Sequence, residues 1–69
     1  IKSQADVLML AARLEKGAAN AYLGVIPSFS NQDLRKVAGR LAADETMHWA
    51  ILNNALKCPI PKEALSFGA

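Results

Sequence analysis

Cysteine is nearly absent. Cys58 is the only one in 69 residues, so neither an internal disulfide nor a thiolate-rich metal site can form within one chain. It lies in LKCPIP, just past an expected helix end, and reads as a neutral structural thiol. Aromatic residues are scarce as well: two Phe, one Trp and one Tyr. Alanine and leucine supply most of an apolar content of 52%, which suits closely packed helices. No excess of one charge sign is present, since the net charge is +2 and charged residues make up 20%. That composition excludes a disordered chain. Only Arg35, Lys36 and Arg40 gather basic charge, and such a trio reads as a solvated helix face rather than a nucleic-acid patch. No apolar run reaches the roughly 18 residues of a membrane span, because charges interrupt it. Neither nucleic acid nor a membrane is therefore expected as a partner.

Proline is also sparse, and it falls where helices should stop. Pro27 and Pro59 each remove a backbone donor, which ends a helix at or before that point. The starts are marked by SQAD (Ser3 to Asp6) and SNQD (Ser30 to Asp33). Each sets a hydroxyl three residues before a carboxylate, close to the capping-box pattern that satisfies first-turn amides. The sequence thus predicts helices over about 4–24 and 31–57. An extended tail over 58–69 follows, anchored by Ile60, Leu65 and Phe67. A connection this short favours an antiparallel hairpin.

Apolar periodicity agrees with that reading. In the first helix Leu8, Ala11, Glu15, Ala18 and Tyr22 recur every three or four residues, with Ala12 and Ala19 beside them. In the second, Leu34, Ala38, Leu41, Glu45, His48, Leu52 and Ala55 alternate by four and three. Two helices cannot hide both stripes, and an exposed apolar seam marks an interface. The expected architecture is therefore all-α: a helical hairpin forming half of a four-helix bundle. A second copy or a missing first half would complete it.

Three residues break the stripes: Glu15, Glu45 and His48. An ionised carboxylate in a dry core carries an effective penalty of several kcal/mol, and a hairpin this small has little stability to offset it. No Lys or Arg lies on the stripes to neutralise the acids, whereas a multivalent metal ion would. Residues three apart share a helix face, so Glu45 and His48 can hold one ion, with Glu15 opposite on the antiparallel helix. Di-metal carboxylate bundles use one Glu from each of two helices and Glu-x-x-His from each of the other two. This chain contains half of that set. Carboxylate and imidazole donors suit iron or manganese and also tolerate zinc. The alternative is a metal-free dimerisation module in which the three side chains form a neutralised hydrogen-bonded cluster. A zinc-protease reading is set aside, because it needs a second histidine.

The stretches ARLEKGAANAYLGVIP (12–27), LAADETMHWAILNNAL (41–56) and CPIPKEALSFG resemble the ferritin-like superfamily. The resemblance is nearest to the bacterial and plant ferritin-like domains that include desiccation-related proteins. By it, the chain corresponds to the second helix pair of a four-helix domain. Glu15, Glu45 and His48 would then be ligands of a di-iron centre, with two iron ions per completed bundle and manganese or zinc possible. Encapsulated ferritins offer a parallel: their subunit is also a hairpin, and the site is completed across a subunit interface. Here only three of six ligands are present, so a homodimer or the remaining half of the domain must supply the rest. The implied activity is Fe(II) oxidation by dioxygen or peroxide, in iron handling or peroxide removal. Tyr22, seven residues after Glu15, is the catalytic candidate: it would hydrogen-bond a ligand carboxylate or pass an electron, if it is not core filler. Asp44 could accept the second N–H of His48. Trp49 and Met47 read as packing residues.

Overall fold

The computed structural model describes residues 3–68. Two helices, α1 (Gln4–Val25) and α2 (Gln32–Ala55), are joined by a short 3₁₀ turn at Ile26–Ser28. They pack antiparallel as a hairpin, and the described residues contain no strand. Ala69, the last residue of the expected tail, lies outside the described residues.

The first helix starts as its sequence dictates. Ser3 is the N-cap, and its hydroxyl accepts a hydrogen bond from the Asp6 amide at 3.2 Å. At the second start the cap is one residue later than expected. Asn31, not Ser30, accepts from the amides of Asp33 and Leu34, at 2.8 and 3.1 Å. The asparagine carbonyl serves both amides at once, as an N-cap residue should. Ser30 instead presents its backbone carbonyl to the Arg35 guanidinium at 3.0 Å.

The second helix ends two residues short of the expected 57. Lys57 turns into the left-handed region at φ 59°. The Cys58 amide then bonds the Asn53 carbonyl at 2.8 Å, and the Lys57 amide bonds that of Asn54 at 3.1 Å. This pair of bonds is a Schellman cap. Glycine normally signals it, and none is present here, which is why the stop was not legible.

The seam between the helices also differs from the expected stripes. Its buried residues are Ala12 and Ala19 from α1, against Ala38, Ala42, Trp49 and Asn53 from α2. Leu34 (50% exposed) and Leu41 (36%) lie off it. A strict four-three count drifts around a helix of 3.6 residues per turn. Small alanines also let the two helices approach closely, whereas leucines would hold them apart. The consequence is a second apolar face, continuous with the seam on one side. Val7, Leu10, Leu14, Val25, Leu34, Val37, Leu41 and Ile51 are all exposed there.

The tail covers the opposite side. Phe67 packs against the Trp49 ring, with centroids 5.1 Å apart, and the Lys16 ammonium lies 5.6 Å from the same ring. Gly68, at φ 82°, comes so close to Leu23 that a Cβ would sit 2.8 Å from its Cδ1. Of the three expected anchors, only Phe67 is substantially covered. Ile60 is 41% exposed and Leu65 is 94% exposed. Leu65 also takes up a left-handed turn at φ 66°, which directs the chain back so that Phe67 reaches the tryptophan.

Candidate metal centre

Glu15 and Glu45 sit at mid-length of their helices, at the edge of the seam where the open apolar face begins. Their heights match because the 3₁₀ turn takes up few residues, so the antiparallel helices run in near-equal register. One turn beyond Glu45, His48 reaches back across the seam. Its Nδ1 lies 3.2 Å from Glu15 Oε2 and 3.8 Å from Glu45 Oε2. One donor atom from each of the three side chains falls within 4.8 Å of the others.

These groups do not lie inside a dry core, as the stripe reading expected. The side chains of Glu15 and Glu45 are 29% and 22% exposed, and that of His48 is 56% exposed. The physical reason is the rotated seam. It buries the line through Ala42 and Trp49, leaving the line through Glu45 and His48 on its open flank.

The carboxyls perturb one another. Glu45 is held above the ordinary carboxylate range, first by its hydrogen bonding with Glu15, then by burial and by the Glu15 charge. Glu15 is held below that range, first by the same interaction with Glu45, against an opposing effect of burial, and further by His48. The two shifts run in opposite directions, the usual response of like charges that share a site.

The linkage signs are opposite. The Glu15 contribution to stability is present above the ordinary glutamate value of 4.5 and is lost as pH falls through its lowered folded-state value. The Glu45 contribution is present below 4.5 and is lost as pH rises through its raised folded-state value. The cluster's own contribution to the resistance of the metal-free protein to urea should therefore be greatest near pH 4.5 and decline on both sides. Glu45→Gln should remove the decline on the alkaline side, as read from urea midpoints in the presence of a chelator.

The donor set fits a divalent cation. Ligands at about 2.0–2.2 Å from a shared zinc-sized ion stand about 3.0–3.4 Å apart in neighbouring positions. The His48–Glu15 separation of 3.2 Å falls in that range, whereas the 3.8 Å from His48 to Glu45 and the spread of up to 4.8 Å across the set would have to close on an ion. The set is incomplete, since three protein donors leave a six-coordinate ion half open.

The other sequence candidates lie elsewhere. Tyr22 is two helical turns from Glu15, about 10 Å along the axis. It lines an open apolar groove at the loop end with Val25, Phe29, Leu34, Val37 and Leu41. Asp44 is exposed, and the contacts of His48 are with the two glutamates instead. Trp49 packs, as read, but against the tail as well as the partner helix. No helix among the described residues is long and apolar enough to cross a membrane.

Among known protein families, the model of the ferritin-like domain matches residues 1–58. Comparisons with curated proteins and with solved structures return no match. The matched span covers most of the chain and includes both helices and all three clustered side chains, so the chain belongs to the ferritin-like domain family.

Proposed function

We propose that this hairpin supplies half of a two-metal carboxylate centre that binds Fe(II) and promotes its oxidation by dioxygen or peroxide. The single observation that carries the reading is the convergence of Glu15, Glu45 and His48 from two helices within 4.8 Å. Family membership supports it, because the handful of donors matches half of the ligand set of a di-metal helical bundle. Glu15 and Glu45 would hold the metal through carboxylate oxygens and His48 through a ring nitrogen. Bound iron supplies one-electron chemistry and Lewis acidity.

The protein's own groups have defined work in this scheme. Glu15 and Glu45 would ligate as carboxylates, so any proton that either carries is released on metal uptake. The apolar surround of Leu14, Leu41 and Ile51, once covered, would limit water around the pair. Tyr22, about two helical turns from Glu15, would pass an electron rather than act as a ligand.

A second reading has one observation in its favour. Because the His48 imidazole lies 3.2 Å from Glu15 and 3.8 Å from Glu45, the cluster can serve a purely structural interface.

The two readings part on metal content and turnover. Protein purified without chelator and titrated anaerobically with Fe(II) should take up about one ion per chain. On admitting air, it should then oxidise that iron faster than buffer does. Uptake no greater than that of a Glu15→Ala, His48→Ala double variant would leave the structural reading standing.

A further inference from the structure

Little in the seam fixes the distance between the two helices. Apart from Trp49, its buried apolar residues are Ala12, Ala19, Ala38 and Ala42. Methyl groups do not interlock, and it is interlocking shape that gives a packed interface one arrangement. Spacing matters at the metal centre, because its donors come from both helices and stand up to 4.8 Å apart.

Trp49 is the exception in the seam. It follows His48 directly, and its ring reaches α1, where the Lys16 ammonium lies 5.6 Å from the ring centroid. Lys16 in turn follows Glu15. Neighbouring residues are turned by about 100° around a helix. Glu15 and His48 therefore emerge on one flank of the seam, while Lys16 and Trp49 turn across it towards the other. The tail covers that second flank, through Phe67 on the indole at 5.1 Å and through Gly68 beside Leu23 and Asn20. It thus touches both helices, and its aromatic contact falls at the level of the ligands.

This contact works against a local strain. For Phe67 to reach the indole, Leu65 takes up φ 66°, yet its own side chain stays 94% exposed and gains nothing. A left-handed leucine persists only where surrounding contacts impose it. The seated tail therefore gains at Phe67 and loses at Leu65, a balance that a bound ligand can shift.

We propose that Phe67 is a positioning residue of the metal centre: it seats the tail behind Trp49 and so holds Glu15 and His48 at the spacing one cation needs. The inference rests on the metal-centre reading above and gives the tail its part in that site. Phe67 acts through the indole, not through any donor atom. Coupling between two sites is reciprocal, so a cation that draws Glu15 and His48 together must also hold the tail down.

The test is the Mn(II) affinity of wild type, Phe67→Ala and Phe67→Tyr, read from the electron paramagnetic resonance of the free ion. Phe67→Ala should bind about tenfold more weakly, the lower end of what groups that orient ligands without touching the ion contribute. Its helix content by circular dichroism should be unchanged, and Phe67→Tyr, which keeps the ring, should bind like wild type. The reverse coupling is read in wild type alone. A protease needs an extended segment, so trypsin should cut after Lys62 from the released tail, at a rate that follows the released population. Saturating Mn(II) should slow that cut by about the same tenfold in wild type and leave it unaltered in Phe67→Ala. Equal Mn(II) affinity in wild type and Phe67→Ala overturns the inference and leaves the metal reading intact. So does bound Mn(II) that leaves the Lys62 cut as fast as before, a result that depends on no variant folding. Wild-type protein that binds no Mn(II) overturns the metal reading, and this inference with it.

Discussion

Replacing Trp49 with alanine should abolish the cooperative unfolding of this protein. The ring is only 8% exposed and is the largest side chain in the seam, where its other buried apolar neighbours are alanines. Truncating a buried tryptophan typically costs about 3–5 kcal/mol, as lost transfer energy and an unfilled cavity. A domain of this size rarely has more than about 3–5 kcal/mol of stability from its core, so the loss is comparable to the whole. Two further contacts go with the ring, the Phe67 stack and the Lys16 ammonium over its face. Trp49→Phe keeps an aromatic partner for Phe67 and should remain folded with a lowered midpoint. Urea melts followed by far-ultraviolet circular dichroism would check both variants. A sharp, wild-type-like transition in Trp49→Ala would mean that the alanine seam alone holds the hairpin.

The second large effect is at Glu45. Its removal as Glu45→Ala should weaken Fe(II) and Mn(II) binding by at least ~100-fold, since groups outside a ligand set already cost 10–100-fold. The consequence for stability is separable. In wild type, metal at one hundred times its Kd should raise unfolding free energy by about 2.7 kcal/mol, and in Glu45→Ala by almost nothing. Glu45→Leu sharpens the comparison, because it replaces a part-exposed carboxyl at the margin of an apolar face. Without metal this variant should be at least as stable as wild type, as replacements of desolvated charge by well-packed apolar groups often are. The metal reading requires that it gain nothing from added ion. Equal metal-dependent stabilisation of wild type and Glu45→Leu would remove Glu45 from the ligand set.

Much of this was legible in the residues. The hairpin follows from two capped amphipathic segments and a short proline-bearing link, and each of those signals is local. The cluster was legible for a related reason: Glu-x-x-His spacing is fixed by the helix itself, and near-equal helix lengths set the height of Glu15. The rotation of the seam was not legible. Both helices are apolar over more than one stripe, so periodicity alone could not say which alanines would meet and which leucines would be left outside. Nor could it show that Asn31 rather than Ser30 would cap α2, or that Lys57 would accept a conformation usually left to glycine. The docking of Phe67 on Trp49 is a long-range contact with no spacing rule behind it. The excess of apolar residues over a two-helix core was the available signal, and it pointed to a covering surface without saying which part of the chain provides it.

The tail's grip on Trp49 has a practical consequence. The chain holds a single indole, and that indole packs against Phe67 of the returning segment. Its emission maximum is therefore an intrinsic reporter of whether the strap is seated. Release of Phe67 should shift the fluorescence to the red while the helices stay paired, so detachment of the last ten or so residues can be followed separately from global melting, without any added dye.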